Sequence, residues 1–297
     1  MEKLRQIFSF IYRHPLAGKH KLKAYYRFIR WQLIQFLRPQ ETIVPFVGKT
    51  KLVVKKGLSG ATGNIYTGLH EFEDMSFLLH FLRKEDIFFD IGANIGSYTI
   101  LASGHIGART VSFEPVPSSF EWIKKNLAIN NLNGLVQAMN IGVGSDKGIL
   151  HFTRSYDTEN HVVIDPLQNK ENLIEVQIID FDSIAAKEGI PSLVKIDVEG
   201  YETEVLKGMT LSLQSEEMKA IIIELNGSGN RYGFDEKLIH QNLMANEFMP
   251  YQYDPFDRKL ELLQNYGSLN TIYIKDIEFV KSRIESADKV KIFSEKF

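Results

Sequence analysis

Strand-like and helix-like segments alternate along this chain from residue 87 onward, and this alternation restricts the fold more than any other feature. Short apolar runs rich in Ile, Val and Phe indicate buried strands, and segments with apolar residues at helical spacing separate them. Such alternation is typical of an α/β protein, in which helices cover both faces of a mostly parallel sheet. The predicted strands lie at 87–92, 109–116, 136–143, 174–180, 192–200 and 220–225, with closing strands near 250 and 271. The predicted helices lie at 73–83, 98–104, 118–130 (with Ser118 as N-cap), 182–187, 201–215 and 235–246.

The first 60 residues differ from the rest in charge. Residues 1–40 contain nine Lys or Arg and one acid, a formal charge of +8, so the remaining residues carry −10. A basic segment interleaved with aromatic residues can lie on an anionic membrane surface or bind a polyanion. The alternative is a helix pair that packs its aromatic face on the protein body and leaves its basic face in water. We predict a basic helical extension with a β-hairpin, turning at Gly48, over 1–60 and an α/β domain over 61–297.

Composition excludes several classes of function. The chain has no cysteine, which excludes disulfide scaffolds, thiolate metal sites and cysteine nucleophiles. We find no secretory signal and no apolar run long enough to span a membrane. The net charge of −2 gives no whole-protein argument for binding nucleic acid. These features favour a cytoplasmic protein, held peripherally at a membrane if the basic segment binds lipid.

A glycine-bearing turn follows the first predicted strand of the α/β domain. Gly92 and Gly96 allow a ligand to approach the backbone just before a helix begins. Asp90, immediately before the turn, would attract an ammonium group and repel a pyrophosphate. Glu114 ends the second strand and can accept hydrogen bonds from a ribose diol. S-adenosylmethionine carries both an amine and a ribose, whereas a nicotinamide dinucleotide would need a second glycine where Asn94 stands.

The chain resembles the FkbM family of S-adenosylmethionine-dependent methyltransferases. Three blocks carry the resemblance, IFFDIGANIGSYTILA (87–102), VSFEPVPSSFEWIKKNLAINN (111–131) and LVKIDVEGYETEVLKGM (193–209). It covers about residues 65–276 and implies the class I methyltransferase (Rossmann-like) fold, a seven-stranded mostly parallel sheet with a reversed last strand. It also implies transfer of a methyl group to a hydroxyl, most often of a sugar, a glycan or a related natural product.

The resemblance also implies which residues bind S-adenosylmethionine and its product S-adenosylhomocysteine. The methionine portion would lie near Asp90, Gly92, Asn94 and Gly96, and Glu114 matches the acid that binds the ribose. The end of the third strand corresponds to the adenine wall, formed by Asn140, Ile141 and Gly142.

The fourth strand predicts the catalytic residues. Lys195, Asp197 and Glu199 alternate onto one face beside the cofactor pocket if the strand continues. Asp197 would act as the base or as a cofactor-side acid, and Glu199 would orient the substrate. Lys195 would pair with these acids or lower the pKa of the attacking hydroxyl, and Glu224 ends the neighbouring strand. The alternative is a structural salt-bridge cluster at the sheet edge.

Two histidines and a metal ion are further candidates for the same site. His70 and His161 could each cover the acceptor site or act as the base, although a lone histidine in a loop is more often a surface residue. Glu71 and Glu73 share that assignment. Asp197, Glu199 and Glu224 could together bind Mg²⁺, because oxygen ligands suit that ion, but the resemblance does not decide this and we assign no metal.

The prediction is therefore an O-methyltransferase that acts on a small-molecule, glycan or glycolipid-like acceptor. Two alternatives remain from the residues alone, a nicotinamide-dinucleotide oxidoreductase and a non-catalytic cofactor-binding module. The sequence indicates neither the acceptor, nor O- rather than N- or C-methylation, nor the oligomeric state.

Overall fold

A computed structural model describes residues 2–153, 161–163 and 173–297. Its helices are α1 (Glu2–Arg13), α2 (Pro15–Gly18), α3 (Lys21–Leu37), α4 (Ser59–Thr67), α5 (Phe72–Phe81), α6 (Ser97–Thr99), α7 (Pro117–Asn130), α8 (Phe181–Glu188), α9 (Glu202–Lys207), α10 (Glu236–Ala245) and α11 (Ile277–Ser286). Its strands are β1 (Thr42–Pro45), β2 (Lys51–Val54), β3 (Ile87–Ile91), β4 (Arg109–Phe113), β5 (Val136–Met139), β6 (Gly142–Gly144), β7 (Gly148–Thr153), β8 (Val162–Val163), β9 (Leu173–Asp180), β10 (Leu193–Ile196), β11 (Ala220–Glu224), β12 (Met249–Asp254), β13 (Lys259–Leu262), β14 (Asn270–Ile274), β15 (Lys291–Ile292) and β16 (Glu295–Lys296).

The central sheet has the predicted architecture and one additional strand. Its order is β13-β12-β14-β11-β10-β3-β4-β5, and β5, β4, β3, β10 and β11 run parallel. Strand β14 runs antiparallel between β11 and β12, which confirms the reversed last strand of the class I methyltransferase fold. The seven predicted strands are present, and β13 adds an eighth at the edge, antiparallel to β12. Strand β13 has only four residues, KLEL, too few for their alternation of charged and apolar side chains to predict a strand.

Helices cover both faces of this sheet, as the alternating pattern predicts. In β3 the adjacent Phe88 and Phe89 are both fully buried, and they belong to different hydrophobic clusters. Phe88 packs in the cluster that contains α5 and α11, and Phe89 packs in the cluster that contains α8, α9 and α10. This alternation follows from the twofold side-chain period of a strand.

The predicted third strand divides between two sheets. Strand β5 ends at Met139 in the central sheet, and β6 begins at Gly142 in a separate four-stranded sheet of order β6-β9-β7-β8. The Asn140 side chain donates hydrogen bonds to the carbonyls of Glu114 and Pro115 at 2.8 and 3.0 Å, which stabilises the change of direction. Between the third predicted strand and residue 174 the sequence predicts no strand or helix, but the described residues there form β7, β8 and the start of β9. Residues 154–160 and 164–172 lie outside the described residues.

Three predicted helices end or begin elsewhere. Helix α7 begins with Pro117 and has Val116 at its N-cap, so Ser118 is not the cap; proline is favoured in the first turn because its missing N–H has no helical partner there. The helix predicted over 98–104 is a single α-turn that continues as a π-helix over Ile100–Ile106. The helix predicted over 201–215 ends at Lys207, and the Gly208 that follows lies so close to the Gly144 carbonyl that a side chain has no space there.

The N-terminal residues form helices and the predicted hairpin, β1 with β2, which turns at Gly48 with a positive φ of 60°. Side chains of α1 and α3 share one hydrophobic cluster with Ile123 and Leu127 of α7. The Asn126 side chain also accepts a hydrogen bond from the Val53 amide at 2.6 Å. In the described part of the chain, every helix is too short or too polar to cross a bilayer.

Candidate active site

A cavity of about 270 Å³ lies at the carboxyl ends of β3, β4 and β10. This is the position where the strand order reverses, and the volume is near the lower end of the range of about 300–1,000 Å³ for small-molecule sites. Phe152 of the four-stranded sheet forms part of the opposite wall. Ten of the predicted site residues line the cavity, namely His70, Asp90, Gly92, Asn94, Glu114, Ile141, Gly142, Lys195, Asp197 and Glu199, and Glu71, which shares the assignment of His70, lines it as well.

Asp90 is held in place at the end of β3. Its Oδ2 accepts hydrogen bonds from the backbone N–H and the hydroxyl of Thr99, at 3.0 and 2.6 Å. The Thr99 hydroxyl also lies 2.6 Å from that of Ser112, the residue opposite Asp90 on β4. Burial raises the pKa of Asp90 to about 6, against the opposing effect of the Thr99 hydrogen bonds. The chain therefore presents this carboxyl to the cavity in one fixed orientation.

The turn after β3 requires its glycine at one position in particular. A Cβ on Gly92 would lie 1.8 Å from the Asp197 carbonyl oxygen, and the residue has a φ of +80°. The first and fourth strand ends therefore approach each other too closely for any side chain. Asn94 also has a positive φ, 53°, which asparagine adopts more readily than most residues. Gly96 begins α6 in the left-handed region but does not line the cavity.

Glu114 is almost fully buried and faces this turn from the end of β4. Its two carboxyl oxygens accept hydrogen bonds from the backbone N–H groups of Val116, at 2.9 Å, and Asn94, at 2.8 Å. Burial raises the pKa of Glu114 to about 8, and the two N–H donors only partly oppose this shift. The remaining acceptor capacity of the carboxyl is available to hydroxyl groups in the cavity.

The predicted adenine wall is formed in part. Ile141 and Gly142 line the cavity, whereas Asn140 lies outside the lining and directs its side chain to the backbone. A Cβ on Gly142 would lie 2.6 Å from the Ile178 side chain, so this wall has no space for a larger residue.

Lys195 is the centre of a buried charged network. Only 2% of its side chain is exposed, and its Nζ donates to Asp197 Oδ2 and to Asn270 Oδ1, both at 3.1 Å. Burial alone would lower the pKa of Lys195, but the nearby carboxylates, Asp197 first, raise it above its ordinary value. The lysine is therefore charged and paired, which agrees with the first of its two predicted roles.

The structure adds three residues to this network that the sequence did not single out, Asp74, Tyr98 and Asn270. The Asn270 amide donates to Glu71 and Asp74, both at 3.0 Å, and Tyr98 donates its hydroxyl proton to Glu71 at 2.6 Å. Burial, with a further contribution from Glu71, raises the pKa of Asp74 to about 7. No periodicity could have revealed this set, because Glu71 and Asn270 are 199 residues apart. Glu73 lies outside the cavity lining.

The carboxylates of Asp197, Glu199 and Glu224 converge, but the strand predicted over 192–200 does not continue to Glu199: β10 ends at Ile196, and Glu199 lies in the turn beyond it with a φ of 55°. One oxygen from each lies within 4.8 Å of the others, close enough to share a metal ion. Burial and the Asp197 carboxylate raise the pKa of Glu224 to about 9. Glu224 lies behind the cavity lining, whereas Asp197 and Glu199 belong to it.

The two candidate histidines have different positions. His70 lines the cavity, and burial lowers its pKa, so its imidazole is neutral near pH 7. Its Nδ1 is buried against Gly63 without a hydrogen-bond partner among the described residues. His161 lies beside β8, where its backbone N–H donates to the Thr153 hydroxyl at 3.1 Å, and it lies outside the cavity lining.

Comparison with known proteins agrees with this geometry. The family model described as Methyltransferase FkbM domain matches residues 90–267, which include every cavity residue from Asp90 to Tyr201. The chain belongs to the FkbM methyltransferase family. The resemblance in the three sequence blocks is thereby confirmed, and the protein is a methyltransferase by family.

Curated relatives are similar over part of their length. The hexuronic acid methyltransferase AglP of Haloferax volcanii is 32% identical over 153 residues, which cover 50% of this chain and 59% of AglP. The 31-O-demethyl-FK506 methyltransferase FkbM of Streptomyces tacrolimicus is 27% identical over 172 residues, covering 46% of this chain and 65% of the relative. The crystal structure of an FkbM methyltransferase from Methylobacillus flagellatus covers 71% of this chain and 52% of its own, with 15% identity and a TM-score of 0.44.

Proposed function

We propose that this family member transfers a methyl group from S-adenosylmethionine to a hydroxyl of a sugar or glycan acceptor. The observation that carries the proposal is the charge arrangement of the cavity. Glu114 faces the turn after β3 from one side, and the Lys195–Asp197 pair faces it from the other. The first can bind a ribose, and the second can act on an acceptor.

The cavity is more suitable for a cationic cofactor than for a dinucleotide. Its lining contains five carboxyl groups, and Lys195 is the one Lys or Arg among the described residues that line it; the carboxyl groups are Glu71, Asp90, Glu114, Asp197 and Glu199. A pyrophosphate would be repelled here, whereas an ammonium and a sulfonium would be attracted. A dinucleotide-binding turn would also need a second glycine at the position of Asn94. The oxidoreductase alternative is therefore not favoured.

Each end of the proposed cofactor then has residues that fit it. Glu114 would accept hydrogen bonds from the two ribose hydroxyls, because its oxygens retain acceptor capacity beyond their bonds to the Val116 and Asn94 amides. Asp90, held by Thr99, would face the cationic methionine portion. Ile141 and Gly142 would supply an apolar wall for the adenine.

The catalytic requirement is alignment of the acceptor, followed by removal of a proton. When bound, S-adenosylmethionine supplies a methyl group on a sulfonium that leaves readily. Asp197 would accept the proton of the acceptor hydroxyl, an effect that contributes about 10²–10⁴-fold in rate. Lys195 would hold Asp197 in position, because its ammonium is fully buried and cannot turn away. The protonated carboxyl of Glu224 would keep a second negative charge away from Asp197.

Two observations support a sugar acceptor. The curated relative with 32% identity is named a hexuronic acid methyltransferase. The cavity lining also includes the aromatic rings of Phe152 and Tyr201, and Tyr201 packs against Tyr232 with ring centroids 5.6 Å apart. Aromatic faces of this kind can pack against the apolar faces of sugar rings.

Calorimetric titration with S-adenosylhomocysteine tests the cofactor, using wild type, Glu114→Ala and the exposed control Glu121→Ala. We expect micromolar binding by wild type and the control, and its loss in Glu114→Ala. Mass spectrometry of hexuronic acid glycosides incubated with labelled S-adenosylmethionine then tests the acceptor. Absence of cofactor binding to the folded wild type would refute the proposal. Binding without transfer to any glycoside would refute only the sugar acceptor.

A further inference from the structure

Helix α3 has two opposite apolar faces. One faces the protein body, where Ala24, Phe28 and Trp31 are buried in the cluster shared with α7. The alternative interpretation of the N-terminal segment, an aromatic face packed on the body, is correct for these residues. An ordinary surface helix would present a polar surface on its other side, and this helix does not.

The outer face of α3 is a continuous row of exposed apolar side chains. Their exposed fractions range from 49% to 85%, and they follow one another at intervals of four, three, four and three residues, namely Leu22, Tyr26, Ile29, Leu33 and Phe36. These intervals place them on one stripe along the helix. We call this row the outer stripe. Single exposed apolar residues are common, but a contiguous row of five indicates an interaction surface.

Helix α1 lies beside α3 and extends the exposed apolar surface. The Phe8 ring stacks on Tyr25 of α3 with centroids 4.8 Å apart, and Phe8 is itself exposed. Leu4 and Tyr12, one turn to either side of Phe8, are exposed as well. Both helices therefore present apolar side chains to solvent.

Exposed basic residues border the outer stripe. Lys23, Arg30 and Arg38 all have exposed side chains on α3 or directly after it. Arg27 is the exception, since its guanidinium donates to the Tyr66 carbonyl at 2.9 and 2.7 Å. With one acid in the first 40 residues, this surface has a strongly positive potential.

We propose that the outer stripe of α3 inserts into the headgroup region of an anionic lipid bilayer, with the helix lying parallel to the membrane plane. Apolar residues on one side and Lys or Arg beside them are what interfacial helices use to bind anionic lipid. The 17 residues of α3 extend about 25 Å along such a surface. A second copy of this chain is a poorer occupant, because it would bring together two N-terminal segments that each carry a formal charge of +8 over residues 1–40.

Helix α1 contacts the candidate active site. Phe10 of α1 packs on His70 with ring centroids 4.9 Å apart, and His70 lines the cavity. If the proposed methyl transfer is correct, docking would bring the enzyme to an acceptor carried on a lipid. The docking itself does not depend on the reaction.

Vesicle co-sedimentation of the full chain tests the docking separately from catalysis. The vesicles contain phosphatidylcholine alone or with about one third phosphatidylserine. We expect wild type to bind the anionic vesicles, with weaker binding at high salt because the basic residues are screened. The variant Leu33→Gln with Phe36→Gln should bind at least about tenfold more weakly than wild type, since two of the apolar side chains that insert into the bilayer become polar. The matched control, Leu211→Gln with Leu262→Gln, changes two equally exposed leucines elsewhere and should bind as wild type.

Two further measurements keep the proposal open to refutation. Arg30→Gln with Lys23→Gln should weaken binding to anionic vesicles and leave the fold, judged by circular dichroism, unchanged. Unchanged binding by the Leu33 and Phe36 variant would overturn the proposal, as would failure of the wild type to bind. If light scattering shows a dimer that this variant converts to a monomer, the stripe is an interface between copies and the proposal is also wrong.

Discussion

Binding of S-adenosylhomocysteine should strengthen as pH rises from 6 to 8, because the carboxyl of Glu114 must lose its proton to bind best. In the free protein, burial raises the pKa of Glu114 to about 8, so most molecules hold it protonated at pH 7. Two ribose hydroxyls that donate to the carboxylate would favour the charged form. Binding is therefore coupled to release of a proton.

The size of this effect follows from the pKa itself. If the Glu114 carboxyl is ionised in every bound molecule, the apparent affinity has its highest value well above the pKa. It is about 100-fold lower than that value at pH 6 and about twofold lower at pH 8. The dissociation constant should thus decrease about 50-fold between pH 6 and pH 8. Glu114 has this pKa because its two backbone partners, Val116 and Asn94, do not fully compensate for its burial.

Isothermal titration calorimetry at pH 6, 7 and 8 measures the affinity. Repeating each titration in buffers with different ionisation enthalpies counts the protons released. Glu114→Gln is the control, because an amide keeps the size and one acceptor but cannot ionise, so its pH dependence should be much flatter. A wild-type affinity that is constant or that increases in acid would refute the argument, as would equal pH dependence in the variant.

Three further predictions concern the network around Lys195. Asp197→Asn should reduce methyl transfer by about 10²–10⁴-fold and leave the affinity for S-adenosylhomocysteine within a few-fold of wild type, since it removes the proposed base but retains the shape; steady-state rates and calorimetry distinguish the two effects. Methyl transfer should continue in excess EDTA, and a loss of activity restored by Mg²⁺ would show that Asp197, Glu199 and Glu224 hold a metal ion. The protein without cofactor should become less stable as pH rises from about 6 to 9, because burial raises the pKa of Asp74 to about 7 and of Glu224 to about 9. A carboxyl whose pKa is higher in the folded state gives stability at low pH that is lost as pH passes through the folded value. Melting temperatures measured across that pH range test this prediction. They should decrease as pH rises, and the decrease should be smaller in Glu224→Gln. A melting temperature that increases with pH would contradict the prediction.

Much of the fold could be predicted because local patterns and tertiary structure agree in it. The buried strands β3, β4, β10 and β11 are rich in apolar residues, and β3 and β11 contain the continuous runs IFF and AIII, which are typical of a sheet covered on both faces. The cavity forms at their carboxyl ends, so Asp90, Glu114 and Asp197 were brought together as predicted. Strand β13 was not predicted, because its four residues are too few for their alternating pattern to indicate a strand.

The sequence alone determined the parts of the site that lie at strand ends. Asp90 precedes a turn that needs Gly92, Glu114 directly follows the next strand, and Lys195 lies on the fourth strand with Asp197 directly after its last residue. Parallel strands align their carboxyl ends at one edge, so the sequence position of each residue determines its place there.

Only the tertiary structure decided which more distant side chains join the residues at the strand ends, and which candidate residues lie outside the cavity. Asn270 reaches Lys195 because β14 enters the sheet beside β11, and Glu71 reaches Tyr98 because α5 packs over that edge. Neither Glu224 nor His161 lines the cavity, and His161 lies beside β8 in the four-stranded sheet. The outer stripe of α3 likewise became evident only after packing showed which of its two apolar faces the body covers. Helical and strand periods specify which residues share a face, but the burial of that face depends on contacts between segments far apart in the chain.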